Sequence, residues 1–88
     1  MKILYLITGL GGGGAEKVVA DLADQMFQSG HQVKIAYLKG EVVVRPKSNE
    51  IELVYLGLES LKQSISAYKK YKNLLQTFKP HVVHAHMV

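Results

Sequence analysis

The residues in this 88-residue chain best suited to chemistry are glycines. Gly9, Gly11, Gly12, Gly13 and Gly14 surround Leu10, so five of six consecutive positions carry no β-carbon. Bare backbone of this kind can turn sharply, take positive φ and let a ligand come within hydrogen-bond distance of its N–H groups. Glu16 and Lys17 follow at the start of an amphipathic segment, so the loop opens onto a helix. The helix adds unpaired N–H groups and the positive end of its dipole, and a phosphate or another anion is the natural guest. Glu16, in that first turn, can complement the dipole or meet a ligand. A second constellation is His84 and His86, two apart on an apolar stretch and therefore on one face of a strand. A metal site needs at least a third ligand; the chain has no cysteine, and no acid lies near the pair in sequence. No bound metal is expected. His84 should be a buried, hydrogen-bonded residue. His86 should project at the carboxyl end of the sheet, where open parallel sheets hold ligands, and can serve a hydroxyl or a phosphate.

Two nucleotide-binding motifs can be weighed against the glycine loop. Gly9-Leu10-Gly11-Gly12-Gly13-Gly14 fits G-x-G-x-x-G between a strand and a helix, the context of a dinucleotide site. A nicotinamide cofactor also asks for an acid at the end of the second strand, about 20 residues on. Val33 to Lys39 supplies none, and Glu41 falls past the strand. A phosphate-binding P-loop needs Gly-Lys-Ser/Thr, but Lys17 lies between Glu16 and Val18. The remaining alternative is a tight strand-to-helix turn with no ligand of its own.

The elements that must position these residues alternate in type. Ile3 to Ile7 is a short apolar run, suited to a parallel strand buried on both faces. Ala15 to Ser29 places Val18, Val19, Leu22, Ala23, Met26 and Phe27 on one helical face, with Lys17, Asp21, Asp24 and Gln28 opposite, and Gly30 closes the helix. His31 then reads as an exposed turn residue before the strand Gln32 to Leu38, in which Val33, Ile35 and Tyr37 alternate with Lys34 and Ala36. Residues 39–50 form an unusual crossover with Val42-Val43-Val44 and Pro46, which suggests a short edge strand. A strand over Ile51 to Leu56 ends at Gly57. Ser60 and Gln63 form a capping box for a helix from Leu61 to Phe78. Leu61, Ile65, Tyr68, Tyr71, Leu75 and Phe78 are expected on its inner arc, with Lys62, Lys69 and Lys70 outside. Lys79-Pro80 breaks that helix, and His81 to Val88 is the fourth strand. This alternation predicts an α/β fold, a Rossmann-like open parallel sheet of about four strands in order 3-2-1-4 with its two main helices on opposite faces.

Composition narrows the class further. One domain at most fits this length, and a chain so short buries only somewhat more than about 60% of its unfolded surface. The formal charge of +4, from 11 basic and 7 acidic residues, is too mild to argue for nucleic acid. Absence of cysteine rules out a disulfide frame and favours a cytoplasmic setting. The apolar run after Met1-Lys2 is too short for the core of a signal peptide, and no stretch reads as a membrane span. No acid occurs from Ser60 to Pro80, so Lys62, Lys69 and Lys70 make a basic face that is either plainly solvated or rests on anionic lipid, peripheral to the inner face of the plasma membrane.

Three stretches also resemble a known family. Gly11-Gly12-Gly13-Gly14-Ala15-Glu16-Lys17-Val18-Val19, followed by Leu22-Ala23, resembles the G-G-A-E-R/K-V-V…L-A signature of family 4 glycosyltransferases of the GT-B fold. Gly30-His31-Gln32-Val33 is similar to the family's G-H-x-V before its second strand, and Lys79-Pro80-His81-Val82-Val83-His84-Ala85-His86 to its K-P-D-V-V-H-x-H strand, with His81 where Asp is usual. The resemblance implies that residues 1–88 are the start of the N-terminal, acceptor-binding domain, without the C-terminal domain that carries the donor site and the paired glutamates. It implies transfer from a nucleotide-sugar donor, with retention, to a glycan or lipid-linked acceptor in polysaccharide or lipopolysaccharide synthesis. The nucleotide-sugar would be a substrate, and no cofactor is implied. Gly12, Gly13 and Gly14 would face the donor diphosphate, His86 and Glu16 would lie on the acceptor side, and catalytic residues are expected elsewhere. The competing readings are an NAD(P)-binding oxidoreductase fragment and a structural domain without a ligand.

Overall fold

The computed structural model describes residues 1–86. Four strands, β1 (Lys2–Ile7), β2 (Gln32–Tyr37), β3 (Glu52–Tyr55) and β4 (Val82–His86), form one sheet in the order β3-β2-β1-β4. Every pairing is parallel, with Ile3 opposite Val33 and Val82, and Ile7 opposite Tyr37 and His86. Helices α1 (Gly14–Gln28) and α2 (Ser64–Phe78) complete the fold, α2 preceded by a short 3-10 turn over Leu61–Gln63. The expected fold class and strand order are both present.

Alternation along β1 builds two cores, one on each face of the sheet. Ile3, Tyr5 and Ile7 point to one side, where Val33 and Ile35 of β2 join Val19 and Ala23 of α1. Leu4 points to the other, where Ala36 of β2 and Leu56 meet Ala67, Leu74 and Phe78 of α2. The helices therefore lie on opposite faces, as right-handed crossovers require. β1, buried from both sides, is the apolar run that carries no polar alternation.

Local chemistry ends the helices where the sequence signals it. Gly30, at φ 94°, closes α1 in a Schellman arrangement: its N–H donates to the Phe27 carbonyl at 3.0 Å and that of His31 to Met26 at 3.1 Å. Gln63 turns back so that its Oε1 accepts the Glu59 and Ser60 amides at 2.8 and 3.0 Å, and the capping box is formed. Lys79 ends α2 in the left-handed region, φ 52°, immediately before Pro80.

Four expectations need correction. Val42-Val43-Val44 forms no strand. The slot beside β2 is taken by β3, and the amides of Val43 and Val44 instead both donate to the Leu10 carbonyl, at 2.7 and 3.0 Å. The crossover thus lies across the glycine loop. Asp24, placed on the outer side of α1 by its spacing, is buried, and Val18, placed in the core, is half exposed at 50%. The inner face of α2 is rotated: Ala67, Leu74 and Phe78 are buried while Leu61, Ile65 and Tyr68 are 92%, 72% and 64% exposed. Finally, His84 is exposed, because β4 is the last strand of the sheet and neither helix covers it. The expected fourth strand also included Met87 and Val88, which lie outside the described residues.

Candidate functional site

The glycine loop sits at the carboxyl ends of the strands, between β1 and α1. Gly12 has φ 107°, a conformation L side chains rarely adopt, and Gly13 caps α1 in extended conformation without a side-chain partner. The α1 N-terminus is not electrostatically empty, because Glu16 folds back over it: a β-carbon placed on Gly13 would come 2.5 Å from Glu16 Oε2. Its carboxylate complements the positive end of the helix dipole. Gly11 and Gly14 face open space.

An open cleft of about 390 Å³ lies beside the loop, lined by Thr8, Gly9, Gly11, Glu16, Lys39, Gly40 and Glu59. Glu59 was not singled out by sequence, because it belongs to the turn before α2, far along the chain from the loop. Two bonds bring it to the end of β2: the Gly40 amide donates to its Oε2 at 2.9 Å, and the Tyr55 hydroxyl donates to the same oxygen at 2.6 Å. The Tyr55 hydroxyl, and then the Gly40 amide, hold the Glu59 carboxyl below its ordinary value. The same hydrogen bond, with burial and the carboxylate's charge behind it, raises the Tyr55 phenol. The acid that the dinucleotide test sought within β2 is absent there, yet a carboxylate reaches the end of β2 from elsewhere in the chain. A signal existed in Tyr55 and Glu59, one helical-turn spacing apart across Gly57, but it has meaning only after the fold is known.

The lining therefore carries two carboxylates, Glu16 and Glu59, against one ammonium, Lys39. That balance disfavours a phosphate inside the cleft and suits a polyhydroxylated guest, whose O–H groups can donate to ionised carboxylates. Gly12, Gly13 and Gly14, on the loop's outer side, are exposed and do not line the cleft. His86, half-buried, stands on the other side of β1 with its ring stacked 6.0 Å from that of His84. Glu16 thus shares a cleft with a part of the glycine loop, whereas His86 borders the far flank. Among the described residues no group of three potential ligands could hold a metal ion.

Two further positions have structural roles. His81 Nδ1 accepts the Lys2 amide at 3.0 Å, while its own N–H donates to the Lys2 carbonyl at 2.8 Å, so it fastens β4 to β1. An Asp carboxylate could accept the same amide, which explains how His can stand there. Asp24 takes the amides of Lys47 and Ser48 at 2.8 and 2.9 Å and pins the crossover to α1. Burial pushes the Asp24 carboxyl up, but those two amides, the Ser48 side chain and the Lys47 charge outweigh it, and the net shift is downward.

The model of Glycosyltransferase Family 4 matches residues 12–88, from the glycine loop through β4. The chain belongs to that family. No curated protein and no solved structure matches it. The family match starts inside the glycine loop and includes Glu16, Lys39, Glu59 and His86. The chain is therefore a glycosyltransferase-family domain with a Rossmann-like α/β fold, and the three stretches quoted above fall on the elements they implied: the α1 start, the approach to β2, and β4. The three lysines expected on an outer face, Lys62, Lys69 and Lys70, are all exposed, and the Nζ of Lys70 lies 5.8 Å from the centre of the Tyr55 ring.

Proposed function

We propose that this domain is the acceptor side of a glycosyltransferase that uses a nucleotide-sugar, with the acceptor's hydroxyls in the cleft and the donor diphosphate on the outer amides of the glycine loop. The observation that carries the reading is the division of the loop. Its inner side, at Gly9 and Gly11, borders a cleft rich in carboxylate, and its outer side, at Gly12 to Gly14, is exposed glycine backbone at a helix N-terminus, open to an anion once the Glu16 carboxylate turns from Gly13 into the cleft. A sugar acceptor fits the first environment and a diphosphate the second. The donor's base and sugar would then be held by a second Rossmann domain facing this one, and the transferred group would be a hexose moved with retention. The acceptor would be a glycan or lipid-linked intermediate of surface polysaccharide or lipopolysaccharide, made at the cytoplasmic side. His86, on the flank of β1, would border that acceptor.

Glycosyl transfer to a hydroxyl breaks the bond between the anomeric carbon and the diphosphate oxygen, and the acceptor oxygen takes that carbon. The diphosphate leaves with the bond's electron pair and takes up the proton that the acceptor hydroxyl gives up. The chain's own contribution is orientation: Glu16 and Glu59 accept from acceptor hydroxyls and fix which one points at the donor, while loop amides stabilise charge on the departing diphosphate.

Titration of the chain with uridine diphosphate, with NADH as the rival ligand, tests the reading by backbone amide NMR. Shifts centred on Gly12 to Gly14 with the diphosphate, and weaker ones with NADH, are expected. Gly13→Val should abolish the former by blocking close approach. Preferential binding of NADH around Gly40 and Glu59 would favour an oxidoreductase instead, and no response to either would leave a domain without nucleotide affinity.

A further inference from the structure

The chain has four histidines, His31, His81, His84 and His86, and their surroundings divide them. His31 holds its Nδ1 2.9 Å from the Met1 amino nitrogen, and His81 Nδ1 accepts the Lys2 amide at 3.0 Å. Each of these two has a ring nitrogen already engaged. His84 and His86 do not: among the described residues neither ring takes part in a hydrogen bond or ion pair. What touches them is other rings, with Tyr5 5.4 Å from His84 and His84 6.0 Å from His86, centre to centre. The pair stands opposite Tyr5 and Ile7 of β1, two residues apart and therefore on one face of β4. His84 is exposed and His86 half-buried, so solvent ions reach both. Imidazole is the commonest metal-ligating side chain.

We propose that His84 and His86 chelate a divalent transition-metal ion through one nitrogen of each ring, with water in the remaining positions. Bonds of about 2.0–2.1 Å from metal to nitrogen place the centres of two rings on one ion roughly 5 Å apart. The rings stand 6.0 Å apart with their planes 14° from parallel. Closing by about 1 Å and turning each ring about χ2, a broad torsion in histidine, brings a nitrogen of each to a common point. An uncovered edge strand leaves room for that movement. Two imidazoles fall short of the four ligands that close a structural zinc site, so the site is an open chelate and not a cage. It suits ions that bind nitrogen strongly and accept water elsewhere, Cu²⁺ before Ni²⁺ and Zn²⁺. Ser60 to Val88 contains no Asp or Glu, so neither β4 nor the helix before it offers a carboxylate to Mg²⁺ or Ca²⁺. The site draws on nothing in the glycosyltransferase reading, which uses His86 only at the acceptor's border and leaves His84 without a role.

Calorimetric titration of the chain with copper, nickel, zinc and magnesium salts tests the proposal, with backbone amide spectra recorded during copper addition. One copper per chain should bind, more tightly than nickel or zinc, and magnesium should not bind. Paramagnetic broadening should begin at residues 82–86 and at Tyr5 and Ile7 across the pairing. His84→Gln and His86→Gln should each weaken copper at least about tenfold, the lower end of what even a supporting contact is worth at a metal site. Copper should raise the Tm of the wild type more than that of either variant, because an ion held by the folded strand stabilises it by mass action. Neither ring belongs to the core, so both variants should keep the circular dichroism of the parent. The rival chelate is His31 with the terminal amine. Copper affinity lost in His31→Gln, or broadening of the wild type that begins at Met1 and His31, would overturn the proposal without any need of the β4 variants. So would copper binding that survives both of those variants, magnesium binding as strong as copper, or no copper binding at all. Nucleotide is absent throughout, so this failure and a failure of the diphosphate titration are separately visible.

Discussion

Asp24 and Glu59 are carboxylates held by backbone amides from distant segments, and they differ in what the hold serves. Asp24 is buried and joins α1 to the crossover. In Asp24→Asn one oxygen can still accept an amide, but the new NH₂ faces the other donor, so a loss of roughly 1–3 kcal/mol is expected. Thermal unfolding should register it as roughly 4–8 °C per kcal/mol for a domain of this size. Because the folded Asp24 carboxyl lies below its ordinary value, its contribution is present above the unfolded pKa and is lost as pH falls through the folded one. The wild type should therefore lose stability at the acid end of the carboxylate range, and the gap between wild type and Asp24→Asn should narrow there; a gap independent of pH would show that the hold is not ionic. Glu59 is exposed and its hold serves the cleft wall. Since its hydrogen bond raises the Tyr55 phenol, Glu59→Gln should bring that group back toward the ordinary tyrosine value. Ultraviolet titration of the tyrosinates would detect it as one fewer late-titrating phenol, with buried Tyr5 remaining late. An unchanged titration curve would mean that the Tyr55–Glu59 contact does not persist in solution.

The glycine loop, an element defined by missing side chains, is tested by adding them back one at a time. Gly14 faces open space inside the first helical turn, so Gly14→Ala should stabilise by about 0.5–1 kcal/mol. Gly12→Ala must hold φ 107° with a β-carbon and should cost about 1–3 kcal/mol. Gly13→Ala is compatible with its extended backbone but must move the Glu16 carboxylate aside. Denaturant unfolding ranks the three. Equal effects at all three positions would mean that the loop does not hold this conformation. What the sequence made legible follows from the range of the interactions involved. The β1 run, the Gly30 cap and the Ser60–Gln63 box are decided by near neighbours, and each lies where its residues indicate. The order 3-2-1-4 was legible because crossover handedness leaves few alternatives. The α2 register was not: Ala67, a small residue with little apolar weight, takes the position against the sheet, and Ile65 and Tyr68 are displaced outward. The Val42–Val44 run has strand propensity, but the Leu10 carbonyl, released by the glycine loop, captures its amides. Glu59 escaped for the same reason, since its site is made by Gly40 and Tyr55 from two different strand ends. At the site, the glycines and Glu16 could be named in advance, whereas the carboxylate opposite them could not.

Among the described residues, the sheet has a well-covered centre and a bare flank at β4. β1 and β2 are sandwiched between α1 and α2, but β4 has Val82 and Val83 at 43% and 42% exposure on its two faces, and His84 is exposed beside them. Pairing to β1 satisfies only one side of β4, and its other side, in the described residues, is an edge of unpaired N–H and C=O groups. A domain of 88 residues has little surplus to absorb this, because only somewhat more than about 60% of its unfolded surface is buried and native stability is a small difference of large terms. Self-association through β4, rising with concentration, is therefore expected, together with a broad thermal transition. Val83→Lys should suppress the association, since a charge on an edge strand opposes pairing with another edge. Its exposure predicts little change in the fold. Sedimentation velocity across a concentration series would measure both proteins, and a sharp transition in a wild-type monomer at every concentration would overturn the expectation. Catalysis makes a parallel demand at this scale. Holding donor and acceptor in one oriented, water-excluding site can supply about 7–11 kcal/mol of a barrier, and the cleft described here is an open surface with one wall. Glycosyl transfer by the 88-residue chain, assayed with nucleotide-sugars and membrane extracts, should not exceed a protein-free blank. Turnover above the blank that is lost in Gly13→Val would show instead that this single domain closes its own active site.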